Sequence, residues 1–287
     1  MSANLAASVH ARLLNRAQRD GEDFNLLLAR YALERWLYRL SISPERERLV
    51  LKGALLFALW FDTPHRPTRD ADFLGFGPAD VESLTATVAR ICTEHCDDGM
   101  RYDAGTIVAD TITKDTDYDG QRLKLMGWLG KIRCPIQLDV GFGDAVTPAP
   151  LETAYPTLLA DLPAPRLRVY PRQTVIAEKL EAIIDLGMRN SRMKDYFDLL
   201  TLMRDPNTPN ESLHEAIAAT CARRRTLIPE GWPIGLTDEF AENSGKRLQW
   251  DAFLRKNRLL APPLAIVVQE LRERLVGPLD QAREKGA

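Results

Sequence analysis

The sequence predicts an α+β fold: a small mixed β-sheet core with an N-terminal helical arm ahead of it and a helical C-terminal half behind it. Three observations carry this. Residues 4–19 and 24–41 repeat apolar side chains at helical spacing. Short β-like runs alternate with helical stretches from 46 to 140 and end in two runs joined tightly around Gly130, as a hairpin would be. Beyond residue 171 the patterned segments are helical. The chain therefore divides into 1–45, an N-terminal helical region; 46–165, the core; and 166–287, a helical C-terminal domain.

In chain order, residues 4–19 place Leu5, Val9, Leu13 and Leu14 on one face. Residues 24–41 do the same with Leu27, Leu28, Tyr31, Trp36, Leu37 and Leu40, and Glu34 and Arg39 are expected to be solvated or paired. Residues 48–52 read as a strand, Gly53 breaks it, and 54–61 are helical in composition. A second strand covers 72–75, and Gly77-Pro78-Ala79-Asp80 precedes a helix of about 16 residues. Three strands follow at 105–112, 121–129 and 131–140. Residues 141–165 contain five prolines and read as a connecting loop, followed by a short extended segment at 167–170. Helices are expected at 171–187, bounded by proline and glycine, and at 194–203, 211–225, 238–253 and 263–276.

The chain has 287 residues, 45% hydrophobic and 27% charged, a composition that supports a buried core and excludes global disorder. Its formal charge of −2 gives no overall basic character, so a nucleic-acid partner would need a local basic patch. No apolar run of membrane-spanning length occurs, and the first residues do not read as a secretory signal; the expectation is a cytoplasmic protein without a membrane partner. Cys92, Cys96, Cys134 and Cys221 show no disulfide spacing, and Cys92, His95 and Cys96 lack the fourth ligand of a structural zinc site.

The chemistry concentrates in Thr68-Arg69-Asp70-Ala71-Asp72. Side chains two apart on a strand share a face, so Asp70 and Asp72 would aim side by side into one pocket. Two hard oxygen ligands held in this way suit Mg²⁺ bound to phosphates. Asp139 interrupts the apolar strand Ile136-Gln-Leu-Asp-Val-Gly141, a costly position for a charge unless it is paired or metal-bound. Beside Asp70 and Asp72 it would complete three carboxylates around two cations, one to activate a hydroxyl and one to neutralise triphosphate and pyrophosphate. The plain alternatives are that Asp70 and Asp72 cap a turn or pair with Arg66 and Arg69, and that Asp139 ends a strand facing water.

This order of glycine turn, helix, Asp-x-Asp and later carboxylate resembles the nucleotidyltransferase superfamily that includes DNA polymerase β. Ala54 departs from it, standing where a small hydroxyl or glycine usually binds phosphate. A narrower resemblance, over residues 23–205, is to the AbiEii family of nucleotidyltransferase toxins of bacterial toxin–antitoxin and phage-defence operons. It is carried by Tyr31-Ala-Leu-Glu-Arg-Trp-Leu-Tyr-Arg-Leu40, Leu51-Lys-Gly-Ala-Leu-Leu56, Arg66-Pro-Thr-Arg-Asp-Ala-Asp72, Ile136-Gln-Leu-Asp-Val-Gly-Phe-Gly-Asp144, Ala177-Glu-Lys-Leu-Glu-Ala182 and Arg192-Met-Lys-Asp-Tyr-Phe-Asp-Leu199, in the same order.

The resemblance implies roles. Asp70, Asp72 and Asp139 become metal ligands for Mg²⁺ or Mn²⁺. Lys52, Gly53, Ala54, Arg69 and Lys179 become the nucleotide-binding set, with Lys179 reaching phosphates as a point charge. Asp195 becomes a catalytic acid, with Asp198 a competitor that spacing does not separate from it. Thr68 becomes a possible site of regulatory phosphorylation. Lys179 could equally pair with Glu178 or Glu181, Asp195 could cap its helix, and Thr68 could be a plain turn residue. The implied activity is transfer of NMP from an NTP to an acceptor, the tRNA 3′ end in several family members, with an antitoxin encoded by a neighbouring gene. Arg166, Arg168, Arg172, Arg189, Arg192, Lys194 and Arg223-Arg-Arg225 are expected to line a basic cleft for RNA. Rival readings are a non-catalytic nucleotide-binding regulatory module, and a small-molecule (antibiotic) nucleotidyltransferase, which would need an acidic pocket for a cationic drug.

Overall fold

A computed structural model of the chain describes residues 3–62, 65–112 and 120–286. Two compact units emerge, Met1–Gly143 with Leu151–Val169, and Asp144–Pro150 with Tyr170–Ala287. No helix among the described residues is long and apolar enough to cross a membrane.

The first unit opens with α1 (Ala3–Asp20) and α2 (Phe24–Ile42), the latter capped by Asp23, which accepts a hydrogen bond from the Leu26 amide. Next come β1 (Leu49–Lys52), a 3₁₀ turn over Gly53–Leu56, the short α3 (Phe57–Trp60), β2 (Asp70–Gly75) and α4 (Val81–Cys92). Asp80 caps α4, which at 12 residues is shorter than expected. β3 (Met100–Ile112), β4 (Gly120–Leu129), β5 (Ile132–Phe142), β6 (Leu151–Ala154) and β7 (Arg166–Val169) complete one seven-stranded mixed sheet, ordered β3-β4-β5-β2-β1-β7-β6. β2 runs parallel to β5, and β1 parallel to β7; the other neighbours are antiparallel.

Burial alternates along the central strands, as it must when one face meets a core and the other does not. Ala71, Phe73, Leu123, Leu125, Leu138 and Val140 are buried, and Phe73 meets Trp36 of α2 with ring centroids 5.8 Å apart. Each deeply buried side chain of this size contributes on the order of 2 kcal/mol. β6 is a strand within the segment expected to be a loop. It is a four-residue edge strand, mostly exposed, so it carries no apolar alternation to announce it.

The second unit is helical: α5 (Arg172–Leu186), α6 (Met193–Arg204), α7 (Leu213–Arg224), α8 (Asp238–Glu242), α9 (Ser244–Asn257) and α10 (Leu264–Gly286). The single helix expected at 238–253 is two, because Asn243 leaves the helix and its side chain caps α9 by accepting from the Lys246 amide. α10 runs ten residues beyond its expected end despite Pro278. Its buried stripe of Leu271, Leu275, Leu279 and Ala282 continues past the proline, and packing outweighs the lost backbone bond.

Candidate active site

The carboxylate pair opens β2, where Ala71 and Phe73 are buried and Asp70 and Asp72 are half-buried on the other face. The parallel register with β5 sets Asp72 opposite Asp139 and Asp70 opposite Gln137. Residues directly opposite share a face, so Asp139 stands beside Asp72 and not across the sheet from it. One strand further out on either side the register supplies a cation. Lys52 on β1 lies opposite Asp72, and Arg122 on β4 lies opposite Asp139. Four adjacent strands thus carry the row Arg122, Asp139, Asp72, Lys52, two carboxylates flanked by two positive charges.

Arg122 grips Asp139 with both arms of its fork: Nε donates to Oδ1 at 2.8 Å and Nη2 to Oδ2 at 2.6 Å. Gln137 Nε2 adds a long contact to Oδ1 at 3.4 Å. The bidentate bonds to Asp139 raise the pKa of the guanidinium further, and the charges of Asp70 and Asp72 act in the same direction. Asp70, Asp72 and Lys52 are engaged as well. As these groups stand, no three His, Cys, Asp or Glu side chains among the described residues are gathered so as to hold a metal ion. The register aligns the acids on one face, while Arg122 holds both oxygens of the outermost one.

Gly53 is required at its position for two reasons. Its φ is +75°, in the region that L side chains rarely adopt, and a Cβ placed there would lie 2.1 Å from Asp72 Oδ2. The turn backbone therefore abuts the central carboxylate. Ala54 follows in the first turn and is half-buried. Thr68 donates from Oγ1 to the Asp70 carbonyl at 3.4 Å, a local tie at the start of β2. Arg69 is exposed.

In the second unit, Lys179 on α5 is buried, and its Nζ donates to Asp195 Oδ1 at 3.0 Å and Asp198 Oδ2 at 2.6 Å. Both acids are completely buried on α6. Residues three apart on a helix are neighbours, so both reach the same ammonium. Arg192 Nε forms an ion pair with Asp195 Oδ2 at 2.7 Å. α5 is anchored from α7 by Arg224, which pairs with Glu178, Glu181 and Asp144 at 2.7–3.1 Å. Those three acids hold Arg224 in its charged form against the effect of burial.

The basic residues expected to line a cleft are in part already paired. Arg168 bonds Glu47 in the first unit; Arg172 bonds Asp205, Arg192 Asp195, and Arg224 its three acids in the second. Arg166, Arg189, Lys194, Arg223 and Arg225 are exposed. Sequence reasoning missed Arg122. The signal was present: a two-residue turn at Gly130-Lys131 pairs Leu129 with Ile132, and counting back pairs Arg122 with Asp139.

The profile of a family described as nucleotidyl transferase AbiEii toxin, type IV toxin–antitoxin system, matches residues 35–275. Among solved structures, JHP933 from Helicobacter pylori is similar with a TM-score of 0.50 at 16% identity, covering 91% of this chain and 94% of that one. A second Helicobacter pylori protein, a proposed nucleotidyltransferase, gives 0.48 at 17% identity over 91% and 95% of the two chains. At such identity the likeness to JHP933 is one of fold. No curated protein matches the chain.

Proposed function

Because the chain belongs to the AbiEii nucleotidyl transferase toxin family of type IV toxin–antitoxin systems, we propose that it transfers NMP from an NTP to an RNA acceptor, the tRNA 3′ end, and so blocks translation. The observation that supports this chemistry best is the register of Asp72 with Asp139, on one face and against Gly53.

Asp70, Asp72 and Asp139 are the residues that would hold Mg²⁺ or Mn²⁺, since carboxylate oxygens are the hard donors these ions prefer. Bound there, the ions would lower the pKa of the acceptor hydroxyl and neutralise charge on the departing pyrophosphate. The chain's own residues do the rest. Gly53, without a Cβ, lets the turn backbone lie against Asp72, and Ala54 contributes only its backbone to the phosphate grip. Lys52 adds a cation at the end of the row. Lys179 is the residue of the second unit assigned to phosphate contact, and Asp195 and Asp198 share the work of orienting its ammonium. Thr68 carries the regulatory role: a phosphate there would set a dianion at the start of β2 and repel substrate phosphates. Mass spectrometry of the protein co-expressed with its operon partner should find that phosphate, and an unmodified Thr68 removes the role.

The deciding experiment incubates the protein with total tRNA, Mg²⁺ and each labelled NTP in turn. Label on tRNA with the parent, and none with a folded Asp72→Ala variant, is the expected result. Nucleotide binding without label on any RNA would mark a non-catalytic module. An Asp72→Ala variant as toxic as the parent ends the metal assignment.

A further inference from the structure

Arg122 belongs to none of the six motifs that carry the family likeness, yet it bonds both carboxylate oxygens of Asp139, at 2.8 and 2.6 Å. We propose that Arg122 is the resident counter-cation of the acidic face and couples metal binding to triphosphate binding: it blocks Asp139 in the ligand-free protein and passes to the triphosphate when metal and nucleotide enter together. This rests on the nucleotidyltransferase reading above.

The two short bonds of Arg122 engage both Asp139 oxygens, so a divalent ion must displace the guanidinium to use them. An arginine does not deprotonate in a protein, so no change of protonation frees the pair. Displacement is sterically open, because the Arg122 side chain is 37% exposed against 17% for Asp139. Charge decides when it happens. Lys52 and Arg122 already offset part of the carboxylates' charge, and two divalent ions arriving alone would add four positive charges to the same face. A triphosphate brings the missing negative charge, and its oxygens fit the planar fork that Asp139 held. Metal and triphosphate therefore favour each other's binding, reciprocally and by the same factor.

A residue that merely tied β4 to β5 would change both ligands' affinities in the same direction, or neither. Mn²⁺ alone, and preformed Mn²⁺–tripolyphosphate, are each titrated into the full chain by calorimetry, with circular dichroism to verify folding. Arg122→Gln is expected to bind Mn²⁺ alone at least about tenfold more tightly than the parent, and the tripolyphosphate complex at least about tenfold more weakly. Arg122→Lys, which keeps a charge but not the fork, should shift both in the same senses by a few-fold, and it carries the comparison should the glutamine variant not fold. Shifts of the same sign, or both affinities within twofold of the parent, overturn the proposal while Asp72→Asn still loses Mn²⁺ binding. If Asp72→Asn binds Mn²⁺ like the parent, the metal site itself falls, and the proposal falls with it.

Discussion

At the scale of single residues, the site depends on a contact between an absent side chain and a present one. Gly53 has no Cβ, and Asp72 Oδ2 occupies the space a Cβ would take. Gly53→Ala must therefore move Asp72 and also hold a left-handed φ, which costs about 1–2 kcal/mol for a residue with a Cβ. The expected outcome is a folded protein, slightly destabilised in urea, whose transfer rate falls by about a hundredfold, the usual consequence of displacing a reacting group by about an ångström. A Gly53→Ala variant with parental kcat would show that Asp72 need not stay where it is. The pair Asp70 and Asp72 was legible in the sequence because a strand's two-residue period is rigid. Arg122 was harder to see, because its importance lies in the register between strands, and that follows only when the hairpin count is carried through to Asp139. Asp195 and Asp198 posed a choice of catalytic acid that spacing could not resolve, and on the folded helix both contact Lys179.

At the scale of elements, α5 and α6 are joined by a charge cluster that one substitution would leave unbalanced. Lys179 is the ammonium between two fully buried carboxylates. Removing one partner of such a buried group costs about 3–5 kcal/mol, because the remaining charges lose compensation without regaining water. Lys179→Ala should lower the unfolding free energy obtained from urea titration by that order, and with it the midpoint, and adding Asp198→Asn should recover part of the loss. If Lys179→Ala unfolds at the parent's midpoint, the cluster is not holding the two helices together. In the expected, destabilised case a toxicity assay on Lys179→Ala alone mixes folding with chemistry, and Lys179→Arg separates them because it keeps the charge. The elements the sequence concealed share a physical cause. β6 has too little buried surface to leave a pattern, and the stop at Asn243 and the continuation through Pro278 are set by a side-chain cap and by tertiary packing. The long amphipathic helices and the hairpin, whose patterns are local, were legible from the start.

At the scale of the whole molecule, the first unit carries a stability term that reads out in pH. Glu34 sits in the apolar helix α2, where the sequence allowed it to be solvated or paired; it is 2% exposed and paired. Oε2 accepts from the Leu158 amide at 2.6 Å, and Arg35 Nε lies 3.4 Å from Oε1. Burial outweighs these bonds and the nearby charge of Arg16, Asp98 adds to it, and the carboxyl is pushed up to about 7 from 4.5. The native state thus keeps a proton that the unfolded chain releases. Its contribution is complete below about pH 4.5 and is lost as pH rises through about 7, a change of order 3 kcal/mol. Carboxylates with lowered pKa values, such as Glu45, Asp80 and Asp161, act with the opposite sign, and they lose their contribution only on acidification below the ordinary carboxylate range. The interval from pH 5 to pH 8 therefore spans the Glu34 titration, and comparison with a variant lacking that carboxyl isolates its contribution. Urea unfolding of the parent should show stability declining across that interval, and Glu34→Gln, which has no proton to lose, should decline less by about 3 kcal/mol. Parent and variant curves that run parallel from pH 5 to pH 8 would mean that Glu34 is already ionised in the folded protein, with Arg35 outweighing its burial.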